Sequence, residues 1–236
     1  MSNITLPLHT LPLPTLPKLR PFTYRPPAGL PHVLHQDDHI LAVSKPSGLL
    51  SVPGKEHPDS ALTRVQKVYP DALLVHRLDM ATSGLMLFPL SPESRRHIAR
   101  QFQNHSLAKT YTARVWGALT GSGTVDLPLR CDWPNRPRQM VDHDQGRPAI
   151  THWKALRTDD TPDGPVTRLQ LTPVTGRSHQ LRVHCLHLGH PILGDRIYAL
   201  DEPYQAATRL QLHAASVSFR HPEGGTHTTL EAPCPF

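Results

Sequence analysis

The stretch Leu73-Leu74-Val75-His76-Arg77-Leu78-Asp79-Met80-Ala81-Thr82-Ser83-Gly84-Leu85-Met86-Leu87-Phe88 decides the class of fold. Two apolar runs of strand character bracket one short polar segment, which predicts two strands joined by a turn, with Asp79 at a strand end or in the loop. A carboxylate so placed is held rigidly. Taken alone, an aspartate in a strand-ending turn is more often an Asx-turn or a cap than a nucleophile.

The same β character recurs on either side. Upstream, His39 to Ser44 reads as a strand, and Ser60 caps a short helix whose apolar positions are Leu62, Val65 and Val68 and which Pro70 stops. Downstream, Ser91-Pro92-Glu93 combines an N-cap hydroxyl, a first-turn proline and a carboxylate at the positive end of the dipole. That helix is expected to run to about His105, with Ile98 and Phe102 facing the core and Arg95, Arg96 and Arg100 leaving a basic surface. Thr110 to Trp116 alternates as a strand, and Val166 to Leu171 supplies another. After the turn at Thr175-Gly176, Ser178 is expected to cap a second short helix. Leu181, His184, Cys185 and Leu188 share one face of it, and Gly189 takes the left-handed position beyond its end. Strands near Leu210 to Phe219 and Thr226 to Leu230 close the chain. Strands outnumber helices and lack regular crossover helices, so the fold class is α+β, a mixed, mainly antiparallel sheet with flanking helices and loops.

At 236 residues the chain is long enough to bury a substantial core. Eight of its 26 prolines fall within residues 1 to about 32, which form an extended arm that can be neither helix nor central strand. Lys18, Arg20 and Arg25 allow that arm to touch RNA phosphates; a strap lying across the domain fits equally well. Residues 33–236 then form the single remaining domain. The net charge of +6, with 17 histidines besides, favours a polyanionic partner, nucleic acid first. Cys131, Cys185 and Cys234 are odd in number and widely spaced, which suits a reduced, cytoplasmic compartment. No run approaches the roughly 18 apolar residues of a membrane span. No dinucleotide or nucleoside triphosphate fingerprint occurs, so any chemistry falls to side chains.

Within the opening stretch, His76-Arg77-Leu78-Asp79-Met80-Ala81-Thr82-Ser83-Gly84-Leu85 resembles the signature H-R-L-D-x-x-T-S-G-L of RluA-type pseudouridine synthases. Lys109 to Gly117 is similar to that family's second motif and Gly176 to His184 to its third, in the family's order. Lys45-Pro46-Ser47-Gly48-Leu49 and His190-Pro191-Ile192-Leu193-Gly194-Asp195 extend the resemblance over residues 33 to 235. Cys131-Asp132-Trp133-Pro134-Asn135-Arg136-Pro137, with no small S4-type RNA-binding domain before residue 33, is nearest to the family's dual-substrate members. Ala199 stands where many relatives have glycine after the tyrosine, and the proline-rich arm is unusual.

The resemblance implies a pseudouridine synthase fold and an isomerase that needs no cofactor or metal and acts as a monomer away from membranes. The implied substrates are uridines in the tRNA anticodon loop, in 23S rRNA, or in both. It carries the catalytic aspartate onto Asp79, its cationic partner onto Arg177, and the tyrosine that lies against the base onto Tyr111. Arg77, His76, Lys109 and Leu181 are implied around the substrate, Arg77 beside the phosphate of the extruded nucleotide. An ionised carboxylate in a site shielded from water needs such a cation, and a guanidinium within about 4 to 6 Å supplies one. A uridine inside a stem or stacked loop must also be flipped out to reach it.

Two other classes compete. His179, His184, His187 and His190 with Cys185 are the densest set of possible metal ligands, as a zinc enzyme would need, but on a helix they point several ways and no H-E-x-x-H occurs. A noncatalytic RNA-binding or chaperone protein that kept the fold is the other, and its sign would be a missing nucleophile.

Overall fold

The computed structural model describes Leu16 and residues 18–236, so Pro7, Pro12, Pro14 and Pro17 of the arm lie outside the described residues. In chain order the elements are β1 (His32–Gln36), β2 (Ile40–Lys45), α1 (Ala61–Gln66), β3 (Ser83–Pro89), α2 (Pro92–Gln103), β4 (Ala108–Trp116), β5 (Ser122–Asp126) and β6 (Leu129–Cys131). After a 3-10 turn at Trp133–Asn135 come β7 (Gln139–Val141), β8 (Ile150–Thr161), β9 (Gly164–Pro173), α3 (Gln180–His187), α4 (Asp201–Gln205), β10 (Leu212–Arg220) and β11 (His227–Glu231). They fall into two compact units. The segments on either side of the middle of the sequence, Thr23–Tyr111 and His213–Phe236, form the flanking unit, and the middle segment Thr112–Leu212, with the described residues up to Phe22, forms the central unit.

In the flanking unit the strands run β1-β2-β3-β10, with β11 on β10. All pairs are antiparallel except β3 with β10, which run parallel over Ser83–Gly84 and His213–Ala214. Period-two alternation sends the side chains of β2 and β3 into two cores. Leu41, Val43, Met86 and Phe88 pack with Ala61 and Val65 of α1 on one face. Ile40, Ala42, Leu85 and Leu87 pack with Ile98 of α2 on the other. Both faces are covered, so the two strands are buried almost end to end.

The helix starts follow their sequence signals. Ser60 and Thr63 form a reciprocal capping box, and Ser91 Oγ accepts from the Ser94 N–H. Val68 departs from expectation and is 57% exposed. The helix ends at Gln66, and the N–H groups of Val68 and Tyr69 both turn back to the Val65 carbonyl, which swings Val68 outward. Leu73 to Val75 is likewise no strand: Leu73 N–H bonds the Pro89 carbonyl, and the chain then runs on extended to Asp79.

In the central unit the order is β4-β9-β8-β5, dominated by the long β8–β9 hairpin, while β6 and β7 form a separate two-stranded ribbon. Helix α3 does not start from a Ser178 cap. His179 occupies the N-cap with φ 54°, and the buried Gln180 side chain secures the turn instead, accepting from Arg177 N–H and Thr175 Oγ1 and donating to the Ile150 carbonyl. The helix is buried from Gln180 to Leu186 on all sides, because its polar members find partners. Arg182 makes two 2.7 Å bonds to the buried Asp195 carboxylate, for example. Its C-terminus closes as a Schellman motif, with Gly189 at φ +81° and the His190 N–H on the Cys185 carbonyl.

The described part of the arm makes contacts within each unit. In the central unit Leu16 and Leu19 pack against the cluster around Val183 and Tyr198. Arg20 there donates to the carbonyls of Arg196 and Ala199 and pairs with Asp201. In the flanking unit the Tyr24 hydroxyl donates to the Asp59 carbonyl, and Arg64 donates to those of Pro27 and Gly29. Lys18 and Arg25 stay exposed.

Candidate active site

Strand β2 ends on Lys45, whose side chain is fully buried and whose ammonium donates to three carbonyls: Pro46 at 2.9 Å, Leu49 at 2.7 Å and Met80 at 3.0 Å. A buried charge is tolerated only when its donors are satisfied, and here the satisfaction does mechanical work. The Met80 carbonyl belongs to the residue after Asp79. The next turn of chain, 47–51, grips the same loop: Ser47 Oγ donates to the Ala81 carbonyl and Gly48 N–H to that of Met80. Ser51 Oγ donates to the Leu78 carbonyl at 2.6 Å and accepts the Leu78 N–H at 3.0 Å. Within the loop, Thr82 N–H closes onto the Asp79 carbonyl. The backbone is thus fixed at positions 78, 80 and 81, so the Asp79 carboxylate projects from a frame that does not yield.

Tyr111, on the first half of β4, packs against the core that holds Leu78 and Met86. Burial, and then the negative charge of Asp79, push its phenol well above the ordinary tyrosine range, so it is neutral at physiological pH.

His76 fills the place where β10 leaves β3. Parallel pairing stops at Gly84, and the Leu87 N–H, left without a strand partner there, donates to His76 Nε2 at 2.9 Å. Burial, with a contribution from the Lys109 ammonium, lowers this imidazole to about 4, so it is neutral and its Nδ1 carries the proton. Its ring stacks on Phe102, with centroids 4.9 Å apart. The Lys109 ammonium, itself lowered by burial, reaches to 6.0 Å from the Phe102 ring centroid. His76, Phe102, Lys109 and Tyr111 share a cavity whose floor is Leu85, Ala214 and Val217. Gly84 makes the close approach of β10 possible: with φ +112°, any Cβ there would lie 2.3 Å from the Ala214 carbonyl oxygen.

Of the residues singled out in sequence, Asp79, Tyr111, His76 and Lys109 are gathered in the flanking unit, where Arg77 is also found, exposed to solvent. Arg177 and Leu181 belong to the central unit. Arg177 is half-buried and locked through its Nε–H to the Pro148 carbonyl, and burial and then Arg147 lower its guanidinium slightly in basicity. Leu181 is buried at the start of α3.

Sequence reading missed the clamp of Lys45, Ser47 and Ser51. Its signal was a lysine ending an apolar strand and followed at once by Pro-Ser-Gly, a place where the ammonium must go inward. The histidines weighed as metal ligands are engaged elsewhere: His184 with Thr151 and the Leu127 carbonyl, His179 with Tyr198, His187 with the Val183 carbonyl and His190 with that of Trp116. Among the described residues no three acidic, histidine or cysteine side chains form a metal-holding group, and no helix is long and apolar enough to cross a membrane.

Residues 39–187 match the family model described as RNA pseudouridylate synthase. The chain is 53% identical over 209 residues to the dual-specificity RNA pseudouridine synthase RluA of Escherichia coli O6:H1, covering 86% of this chain and 93% of that one. It is 55% identical over 205 residues to the protein of the same name from Yersinia pestis, covering 85% and 98%. Among solved structures, human RNA pseudouridylate synthase domain containing 1 superposes with a TM-score of 0.75 at 25% identity, over 90% of this chain and 87% of that one.

Proposed function

The chain belongs to the RNA pseudouridylate synthase family and is an isomerase of RNA uridines, and on that premise we propose that Asp79 is its nucleophile and that its substrates are unpaired loop uridines of tRNA, of 23S rRNA, or of both. The isomerisation breaks the bond from ribose C1′ to N1 and makes one from C1′ to C5. The proton on C5 leaves and N1 ends protonated, so the change is redox-neutral. An ionised aspartate either adds to C1′ or assists loss of the C2′ proton while the uracil turns over.

The observation that carries the reading is the clamped Asp79 loop beside Tyr111. A nucleophile fixed before substrate arrives loses little in ordering itself at the transition state. Tyr111 presents a flat face to the base. Being neutral, its hydroxyl serves C5 deprotonation as one link of a relay, receiving that proton as it hands on its own, and not as a phenolate. The family motif assigns Arg177 as the cationic partner of Asp79, and within its own unit the Arg177 Nε–H is anchored on the Pro148 carbonyl. Arg77, exposed, fits a phosphate contact; His76, Lys109 and Leu181 are assigned to the walls around the base. The enzyme works as a cytoplasmic monomer on loops whose bases splay at a cost of a few kcal/mol.

The test is tritium release from [5-³H]uridine-labelled tRNA and large-subunit rRNA transcripts. Wild type is expected to release tritium and Asp79→Asn, folded by circular dichroism, to release none. Arg177→Met is expected to lose turnover strongly while keeping some RNA affinity. Near wild-type activity in Asp79→Asn overturns the assignment. Salt-sensitive binding without release from either RNA turns the reading toward an RNA-binding protein.

A further inference from the structure

We propose that Trp133, at the tip of the β6–β7 ribbon, is a stacking platform for one unpaired base of the RNA, with Arg136 beside it for the neighbouring phosphate. This rests on the RNA-modifying reading given above and adds a contact to it.

Trp133 is the most exposed large apolar side chain among the described residues, at 62%. An indole ordinarily contributes far more inside a core than in water, so one held in solvent calls for an occupant. The exposure does not arise from a loose loop. Asn135 N–H returns to the Asp132 carbonyl, Arg138 N–H to that of Asn135, and Asp132 N–H to that of Arg138, so the tip is a closed knot of backbone bonds. Beneath it Arg138 is buried, with Nη2 on the Ile197 carbonyl, and the Gln139 N–H donates to the Tyr198 hydroxyl at 2.8 Å. Arg130 is pinned to Asp142 at the base of the ribbon. The ring stands on an anchored stem.

The neighbourhood supplies the complementary charge. The Arg136 guanidinium lies 4.8 Å from the Trp133 ring centroid and is itself exposed, so a flat apolar face and a planar cation are presented together. Those are the two features of a nucleotide in reverse: a base with a π-face, and a phosphate one bond system away. Stacking tolerates any base, which suits either of the loop classes proposed above.

The platform shares its frame with Arg177. The Tyr198 hydroxyl that accepts from Gln139 also meets His179 Nδ1 at 2.8 Å, and His179 is two residues beyond Arg177. One tyrosine therefore ties the foot of the tip to the turn that carries the arginine, all within the central unit. An RNA strand engaging Arg177 meets Trp133 at a fixed offset.

The experiment compares full-length wild type, Trp133→Ala and Trp133→Phe by filter binding to the tRNA and rRNA transcripts, with thermal melts as the folding control and tritium release measured on the same samples. Trp133→Ala is expected to raise Kd about 5- to 150-fold, the range for losing one base–aromatic stack, while Trp133→Phe keeps most of the affinity. A Kd for Trp133→Ala within twofold of wild type overturns the platform, whether or not the wild type releases tritium. Weakened binding by Trp133→Ala alongside a wild type that releases none keeps the platform and overturns the isomerase assignment instead.

Discussion

Replacing Ser51 by alanine removes one oxygen and tests the idea that the Asp79 loop is held from behind. Ser51 is 4% exposed and Leu78, whose backbone it binds through both N–H and carbonyl, is 7% exposed. Both Leu78 groups then lose the hydroxyl inside a water-poor environment. Each buried polar group left unmet costs about 1 to 3 kcal/mol, so the pair together costs about 2 to 6 kcal/mol. For a chain of this size each kcal/mol lowers Tm by about 2 to 4 °C, which gives a fall of about 4 to 24 °C. The functional consequence is separate. Leu78 is bonded to Asp79, and a displacement of the Asp79 carboxylate by a fraction of an ångström is expected, under the proposed role, to lower kcat about tenfold or more while RNA affinity holds. Differential scanning calorimetry and saturating tritium-release assays check both parts. A Tm within about 1 °C of wild type together with unchanged kcat would refute the clamp as a positioning device.

Two further outcomes follow from other parts of the fold. Burial, with smaller effects from the Leu127 carbonyl and His187, holds His184 at about 4 against an ordinary 6.5, so the unfolded chain takes up that proton first. Its contribution is complete above pH 6.5 and is lost as pH falls toward 4, by about 3 kcal/mol. Thermal melts between pH 7.5 and 4.5 are expected to fall less steeply for His184→Asn than for wild type, and equal slopes would remove His184 from the account. Gly84→Ala forces a Cβ to 2.3 Å from the Ala214 carbonyl oxygen and demands a positive φ, so the β3–β10 junction must separate. Loss of soluble protein, or a Tm lowered by more than about 10 °C, is the expected result.

Much of this was legible in sequence, for identifiable reasons. Apolar runs such as Ile40 to Val43 and Leu85 to Phe88 can only be buried strands, and Ser60 and Ser91 announce their helices because unmet N–H groups need an oxygen at that spot. The misreadings concern groups whose role depends on a distant neighbour. Ser178 looks like a cap, yet the Gln180 side chain, sandwiched between Thr175 and the Ile150 carbonyl, does that work better. Val68 keeps helical spacing but falls after the helix has stopped. The β8 strand escaped notice because its outer positions, Arg157, Asp159 and Asp160 among them, carry charge and mask the alternation. Asp79, Tyr111 and Arg177 stood out only because a family motif surrounded them. The clamp at Lys45 and Ser51 left only a faint signal, a lysine closing an apolar strand before Pro-Ser-Gly, since a lysine is read as surface until its three carbonyls are seen.

The unit that carries Asp79 is assembled from two stretches far apart in sequence: Ser83 Oγ meets His213 Nδ1 across 130 residues, and the cavity floor includes Ala214 and Val217. During synthesis the loop, the tyrosine and the first three strands leave the ribosome long before the strand that completes their cavity. A nascent chain therefore carries its chemical groups without a finished pocket. Competence arrives only once β10 has joined β3 and β11 has joined β10, so the order of synthesis separates the making of the reactive side chains from the closing of the wall around them.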